Sequence, residues 1–275
     1  MTNISVPTGY APVNGLELYY EIHGAGEPLV LLHGGFGLTS MFDGELLPRL
    51  AEKRQVITVD LQGHGRTADI DRPLRLEFMA DDVAALIKHL GLQQADVMGY
   101  SMGGGAAMRT AIQHPEVVRK LVVASIPFRR NAWYPDLLAG MGQMSRANAA
   151  FLQQTPMYQA YASVAPKPEN FPTLCEKMGD LLRQDYDWSA DVAALKLPVL
   201  IVFGDADGVP PTHATEFFSL LGGGQRDGSW DESGMSTARL AILPGTTHYN
   251  LSDSPALAPA VLSFLEAPMP ASTKA

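Results

Sequence analysis

Gly99-Tyr100-Ser101-Met102-Gly103 constrains this chain more than any other stretch. It reads G-x-S-x-G, follows the short apolar run Ala95 to Met98, and precedes a segment of helical character. A strand that turns abruptly into a helix forces its central residue into a strained conformation with the side chain exposed. Glycine on both sides of the serine removes Cβ atoms that would clash in so tight a turn. Gly103, Gly104 and Gly105 then let the helix lie close against neighbouring strands. The serine also stands beside a helix N-terminus, where unpartnered N–H groups favour negative charge. The same five letters also occur in inert Gly-rich turns. A hydroxyl is a weak nucleophile unless a base takes its proton and a third group orients that base, so a histidine and a carboxylate are required at other strand ends.

Both are present. Leu197 to Phe203 is a β-rich apolar run of the kind expected for a strand buried on both faces. It ends in the turn formers Gly204-Asp205-Ala206-Asp207-Gly208. Leu240 to Leu243 is another short strand, followed by Pro244-Gly245-Thr246-Thr247-His248. The order is Ser101, Asp207, His248.

With these residues in place, the chain resembles the α/β-hydrolase fold family, in particular its small, cofactor-free, esterase-like members. Leu29 to Gly37 (LVLLHGGFG) is similar to the family's strand-3 end and oxyanion loop. Val56 to Thr67 is similar to its D-x-x-G-x-G-x-[ST] turn, carried here by Asp60, Gly63, Gly65 and Thr67. The serine turn, the G-x-x-D-x-x-x-P segment from Gly204 to Pro211 and the late P-G-x-x-H segment complete the set. The resemblance implies an α/β fold with a mostly parallel central sheet flanked by helices. It implies a core made of residues 1–127 and 196–275, and an inserted helical cap over residues 128–195.

Composition fits one large α/β domain. The chain has 275 residues, 46% of them hydrophobic, enough to fill a sizeable core. A net charge of −9 lacks the basic footprint that nucleic acid requires. The single cysteine, Cys175, excludes an internal disulfide and reads as a small apolar residue. Met1 to Ala11 has no basic segment followed by an apolar one, so no secretory signal is expected and a cytoplasmic location is the default. No run approaches the length of a membrane span. The Pro, Ala, Ser and Lys tail from Ala267 to Ala275 is expected to fray.

Alternating strand and helix patterns predict a parallel sheet wrapped by helices. Gly15 to His23 reads as one arm of an antiparallel hairpin with Leu29 to Leu32, turning through Gly24-Ala25-Gly26. Leu76 to Leu90 has helical periodicity, with Phe78, Met79, Val83, Leu86, Ile87 and Leu90 on one side and Gly91 as its stop. A helix after Ser101 runs to about Gln113, and Pro255 to Leu265 reads as a closing helix. Between Pro127 and Leu195 the strand pattern disappears, and aromatic and Met residues accumulate instead. A subset of them is expected to line an apolar cavity, the rest forming the cap's own small core. The Gly, Ser and Asp-rich stretch Gly222 to Ser236, with Trp230, reads as a surface loop, packing on the cap or on a second subunit being the other reading.

Asp205 and Asp207 would face the same way in an extended chain. The resemblance places the triad acid at Asp207, three residues after the glycine, with Asp205 left as a turn residue or the competing acid. It places the oxyanion donors at the N–H groups of Met102 and Gly35, with Phe36 the competing second donor. His33 is expected to hold backbone by hydrogen bonds, and His64 to be structural within Gly63-His64-Gly65. His23, His89, His114 and His213 read as surface or turn residues, and Asp60 as a carboxylate that accepts backbone N–H bonds. No metal-ligand spacing is present, and the glycines after Ser101 lack the lysine of a phosphate loop.

The activity implied is hydrolysis of a small carboxylic ester, lactone or thioester through Ser101, His248 and Asp207, without cofactor or metal. The partner expected is a small-molecule substrate, with a homodimer left open and neither nucleic acid nor membrane involved. Three alternatives stay open: other chemistry on the same triad, such as C–C bond hydrolysis or perhydrolysis, a ligand receptor that does not turn over, and a scaffold whose site is vestigial.

Overall fold

Short Val, Leu and Ile runs bounded by turn residues become strands: β1 (Thr8–Val13), β2 (Leu16–His23), β3 (Pro28–Leu32), β4 (Gln55–Val59), β5 (Ala95–Tyr100), β6 (Val118–Ala124), β7 (Val199–Ala206) and β8 (Ala238–Thr247). The computed structural model describes residues 6–269. Residues 1–5, and residues 270–275 of the tail expected to fray, lie outside it. The helices are α1 (Leu46–Ala51), α2 (Leu76–His89), α3 (Met102–Gln113), α4 (Pro135–Gly142), α5 (Ala149–Leu152), α6 (Pro156–Val164), α7 (Phe171–Arg183), α8 (Ser189–Ala194), α9 (Pro211–Leu220) and α10 (Leu257–Glu266).

The strands form one sheet in the order β1-β2-β4-β3-β5-β6-β7-β8. Its stretch from β4 to β8 is parallel, and β1 and β2 are antiparallel additions at one edge. The chain leaves β3 for β4 on one side and then returns to place β5 on the other. That reversal opens a crevice beyond the carboxyl ends of β3 and β5, where ligands bind in open α/β sheets. The register brings those ends level, with Leu32 beside Gly99 and Gly99 beside Val123.

Both faces of the sheet are covered, so its central strands are apolar throughout rather than alternating with polar residues. Val30, Leu32, Val97, Val123 and Ile201 pack with residues of α2 and α3. Leu29, Leu31, Met98, Val122 and Val202 face the other way, onto α1 and α10. Each such side chain contributes on the order of 1.5–3 kcal/mol through burial.

The hairpin expectation is corrected. β2 pairs with β1 and β4, and β3 lies between β4 and β5, so Leu29 to Leu32 never touches β2 as a hairpin partner. The hairpin turn is Asn14-Gly15, with φ of 49° and 85°, the left-handed pair that matches strand twist in a two-residue loop. Phe78 is a second correction. It lies on the solvent side of α2 with the Arg72 guanidinium 5.3 Å from its ring centroid, while Met79, Val83, Leu86 and Ile87 are buried. His213 is a third. It is buried in α9, with its ring centroid 4.3 Å from that of Phe128. Trp230 is fully exposed in a loop closed on itself by Arg226 and Ser233. Cys175 is buried in α7, and burial pushes its thiol up to about 11, as expected of a packing residue. No helix among the described residues is long and apolar enough to cross a membrane.

One buried cation fixes the last turn of α10. Lys120, on β6, is 2% exposed, and its Nζ donates to the carbonyls of Phe264 and Leu265 at 3.1 and 2.9 Å. These are orphan carbonyls of the last turn of α10, which carry partial negative charge. Lys120→Met leaves them buried without a donor. It is expected to cost about 2–3 kcal/mol, read as a lower urea midpoint at unchanged slope.

Candidate active site

Ser101 sits between β5 and α3 with φ 53° and ψ −121°, a conformation that L residues rarely adopt. It holds because its surroundings over-determine it. Its N–H donates to Ala124 O at 2.8 Å, and its carbonyl accepts from Gly105 N–H at 3.0 Å. A Cβ at Gly99 would lie 2.0 Å from Gly103 O, and one at Gly103 would lie 2.4 Å from both Leu32 O and His33 O. No side chain fits at either position, which explains the glycines flanking the serine.

Three residues far apart in sequence meet here. Ser101 Oγ is 3.1 Å from His248 Nε2, and His248 Nδ1 is 3.2 Å from Asp207 Oδ1. With the carboxylate accepting, Nδ1 carries the proton and the Nε2 lone pair faces the serine hydroxyl. Asp207 is 5% exposed. Its Oδ1 also accepts from Gly208 N–H at 2.7 Å, and its Oδ2 from Gly204 N–H at 3.2 Å and from the Ser125 hydroxyl. Burial pushes its pKa up, but the hydrogen bonds from His248, Ser125 and Gly204 outweigh this and hold the carboxyl below its usual range.

Asp205 does not share that environment. Register shifts between Gly204 and Ala206, so a spacing of two no longer means a common direction. Asp205 is exposed and accepts from Thr246 N–H at 3.1 Å. It braces the turn ahead of His248 and does not touch the imidazole.

The loop after β3 is set by His33. Its Nε2 accepts from Leu61 N–H at 3.0 Å, so Nδ1 carries the proton and donates to Gly34 O at 2.7 Å. Gly37 N–H donates to the same carbonyl at 3.0 Å. In a trans peptide the N–H points opposite the C=O, so pinning Gly34 C=O turns Gly35 N–H away from His33. Gly35, Ser101 and Met102 line one cavity of about 120 Å³, and Phe36 does not line it. The Phe36 ring packs instead on Phe171, 6.0 Å between centroids. Asp60, fully buried, accepts from Thr39 N–H at 2.6 Å and Arg66 N–H at 2.7 Å, tying the loops after β3 and β4 together.

Of the aromatic and Met residues between β6 and β7, Trp133, Met141, Met178, Tyr186 and Trp188 line the cavity. Tyr158, Tyr161 and Phe171 pack on one another, and Tyr134 and Phe151 are exposed. Three contributors have no role in the sequence-based expectations. Ser125, fully buried with φ 55°, holds Asp207 from the end of β6. The Tyr100 hydroxyl donates to the His248 carbonyl. Trp133 meets the His248 ring edge-on at 5.4 Å. Ser125 was within reach of sequence reasoning, because β6 ends level with the strand that carries the serine.

Comparison with known proteins agrees with this architecture. A model of the alpha/beta hydrolase fold family matches residues 27–262, and the chain belongs to that family. It is similar to RutD of Azorhizobium caulinodans, named as a candidate carbamate hydrolase, at 38% identity over 221 residues, which is 74% of this chain and 82% of that one. With RutD of Caulobacter vibrioides the match is 37% over 112 residues and spans 39% of this chain and 42% of the relative's length. Among solved structures, carboxylesterase CesB from Bacillus subtilis superposes with a TM-score of 0.73 at 18% identity, covering 96% of this chain and 93% of that one. The chain is thus a hydrolase-family protein with the α/β-hydrolase fold.

His33 and His64 are both fully buried, and burial holds them down to about 4 and about 3, from an ordinary 6.5. His64 Nδ1 pairs with Gln62 O at 2.9 Å, while its Nε2 has no partner among the described residues. The folded state keeps both rings neutral, so as pH falls the unfolded chain takes up protons first. Stability is therefore intact above pH 6.5 and declines below it, towards pH 4 for His33 and pH 3 for His64. These two rings together contribute a slope that approaches two protons, about 2.7 kcal/mol per pH unit. Urea unfolding at a series of pH values measures it, and His64→Gln should reduce the slope by up to one proton, about 1.4 kcal/mol per pH unit.

Proposed function

We propose that this chain hydrolyses a small carboxylic ester, lactone or thioester by way of an acyl-enzyme on Ser101. The observation that carries the reading is the unbroken hydrogen-bonded path from Ser101 Oγ through His248 to Asp207 Oδ1. Ser101 Oγ attacks the carbonyl carbon as its proton passes to His248 Nε2. The carbonyl electron pair moves onto oxygen, which the N–H groups of Met102 and Gly35 receive. The imidazolium then protonates the leaving alkoxide as the C–O bond breaks. Water repeats the sequence on the acyl-enzyme, losing its proton to His248 and releasing the acid and free Ser101. Asp207 orients the ring and stabilises its cationic form, and Ser125 positions Asp207. Residues 128–195 act as a cap that shapes the acyl site.

A second reading is cleavage of a carbamate by the same steps, favoured by the 38% identity with RutD over most of both chains. Parallel assays of p-nitrophenyl esters and carbamates of equal size separate the two, the higher kcat/KM naming the substrate class.

On p-nitrophenyl esters of increasing acyl length, Ser101→Ala and His248→Ala should abolish nearly all turnover. Asp207→Asn should lower kcat by about 10⁴-fold. Asp205→Asn should stay within about threefold, since that side chain serves only a turn. Ser125→Ala should lower kcat by roughly tenfold, the loss of one buried charge-assisted hydrogen bond. If Asp205→Asn were crippled and Asp207→Asn mild, the acid assignment would be wrong.

A further inference from the structure

Arg130 stands in the wall of the cavity that holds Ser101, at the junction between β6 and α4. Most of that wall is apolar, with Ile126, Trp133, Met141, Met178, Leu181 and Trp188 among its residues. The arginine is anchored. Its backbone N–H donates to Tyr186 O at 2.9 Å, and its Nε donates to Leu182 O at 3.1 Å. That uses one of the five N–H donors of the guanidinium. Among the described residues its two terminal nitrogens have no hydrogen-bond or ion-pair partner and no carboxylate within 4 Å.

Other arginines at the base of this insertion are paired. Arg129 forms a two-pronged bond with Glu216, and Arg109 reaches Glu77 at 3.7 Å and Asp191 at 3.4 Å. Two carboxylates, Glu77 and Asp185, also line the cavity, and neither pairs with Arg130. Glu77 has its charge met by Arg109, and Asp185 is exposed to solvent. Arg130 is thus a cation held half-buried in an apolar wall with its fork left free. A purely apolar substrate that fills this space strips water from the guanidinium and returns nothing. That is costly for a charge. A carboxylate returns two parallel charge-assisted bonds.

We propose that Arg130 is an anion subsite, and that the substrate carries a carboxylate on the side away from the scissile carbonyl. This rests on the reading of Ser101 as nucleophile and names the substrate class for that site. The acyl or leaving group it selects is anionic at one end and apolar between, as in the half-ester of a dicarboxylic acid.

The test compares mono-p-nitrophenyl adipate with p-nitrophenyl hexanoate, in which a methyl group replaces the distal carboxylate. Wild type, Arg130→Met and Arg130→Lys are assayed on both, with spontaneous hydrolysis subtracted. The ratio of kcat/KM, adipate over hexanoate, should fall at least tenfold in Arg130→Met, and Arg130→Lys should recover part of it. The change should sit mainly in KM. Calorimetry of adipate with Ser101→Ala, with and without Arg130→Met, reads binding apart from turnover. Adipate binding that disappears with Arg130→Met supports the subsite even if neither ester is cleaved, an outcome that overturns the catalytic reading alone. Cleavage of hexanoate by wild type, with a ratio that Arg130→Met leaves unchanged, overturns the subsite and spares the catalytic reading.

Discussion

Parallel strands release their following loops at one edge of a sheet, and the arrangement of this site depends on that constraint. From β4 to β8 the strands run in one direction, so the segments after β3, β5, β6, β7 and β8 emerge side by side. Gly35, Ser101, Ser125, Asp207 and His248 are each the product of one such exit. Reversal of strand order between β3 and β5 then opens room for a ligand where these exits meet. An antiparallel sheet with the same residues would have sent half of them to the opposite edge.

Much of this was legible because the motifs encode backbone geometry that only certain residues permit. The serine turn needs glycine where Gly99 and Gly103 approach carbonyl oxygens, and that need is written in the sequence. The order of serine, acid and histidine follows from the order of the strands. His33 and Asp60 also behaved as their turn contexts imply, each bonding backbone N–H groups of a neighbouring loop. What was not legible is adjacency. Sequence neighbours suggested that β2 and β3 pair, but β4 lies between them, a choice made by the whole sheet and not by either strand. Alternation along an extended chain points Asp205 and Asp207 the same way, and a register shift separates them. His213 and Phe78 exchanged their expected environments because helical period gives a face and not its neighbours. The cavity wall was unreadable for the same reason: Trp188 and Tyr158 are alike in sequence terms, and only packing sends one to the cavity and the other against Tyr161 and Phe171.

Charge is managed differently at the base of the site and in its wall. At the base, His33 and His64 are kept neutral by burial, so they act as fixed hydrogen-bonding struts over the working pH range. Asp207 is kept ionised by donors from three strand ends, β6, β7 and β8. His248 is clasped between the Trp133 edge, the Tyr100 hydroxyl at its carbonyl, and the Asp207 carboxylate. The helix that follows it, α10, is tied to β6 through Lys120. The ring is therefore located by chain segments on both sides of it.

The placement of the three tryptophans has a spectroscopic consequence. Trp133 and Trp188 are nearly buried in the cavity wall, the second stacked on Tyr186 with 4.4 Å between ring centroids. Trp230 stands alone in water, remote from any packed neighbour. Replacing Trp230 with phenylalanine removes the solvent-exposed background and leaves a protein whose tryptophan emission arises wholly from indoles that border the cavity. Occupancy of the cavity then becomes an optical signal, without a chromogenic leaving group or an attached dye.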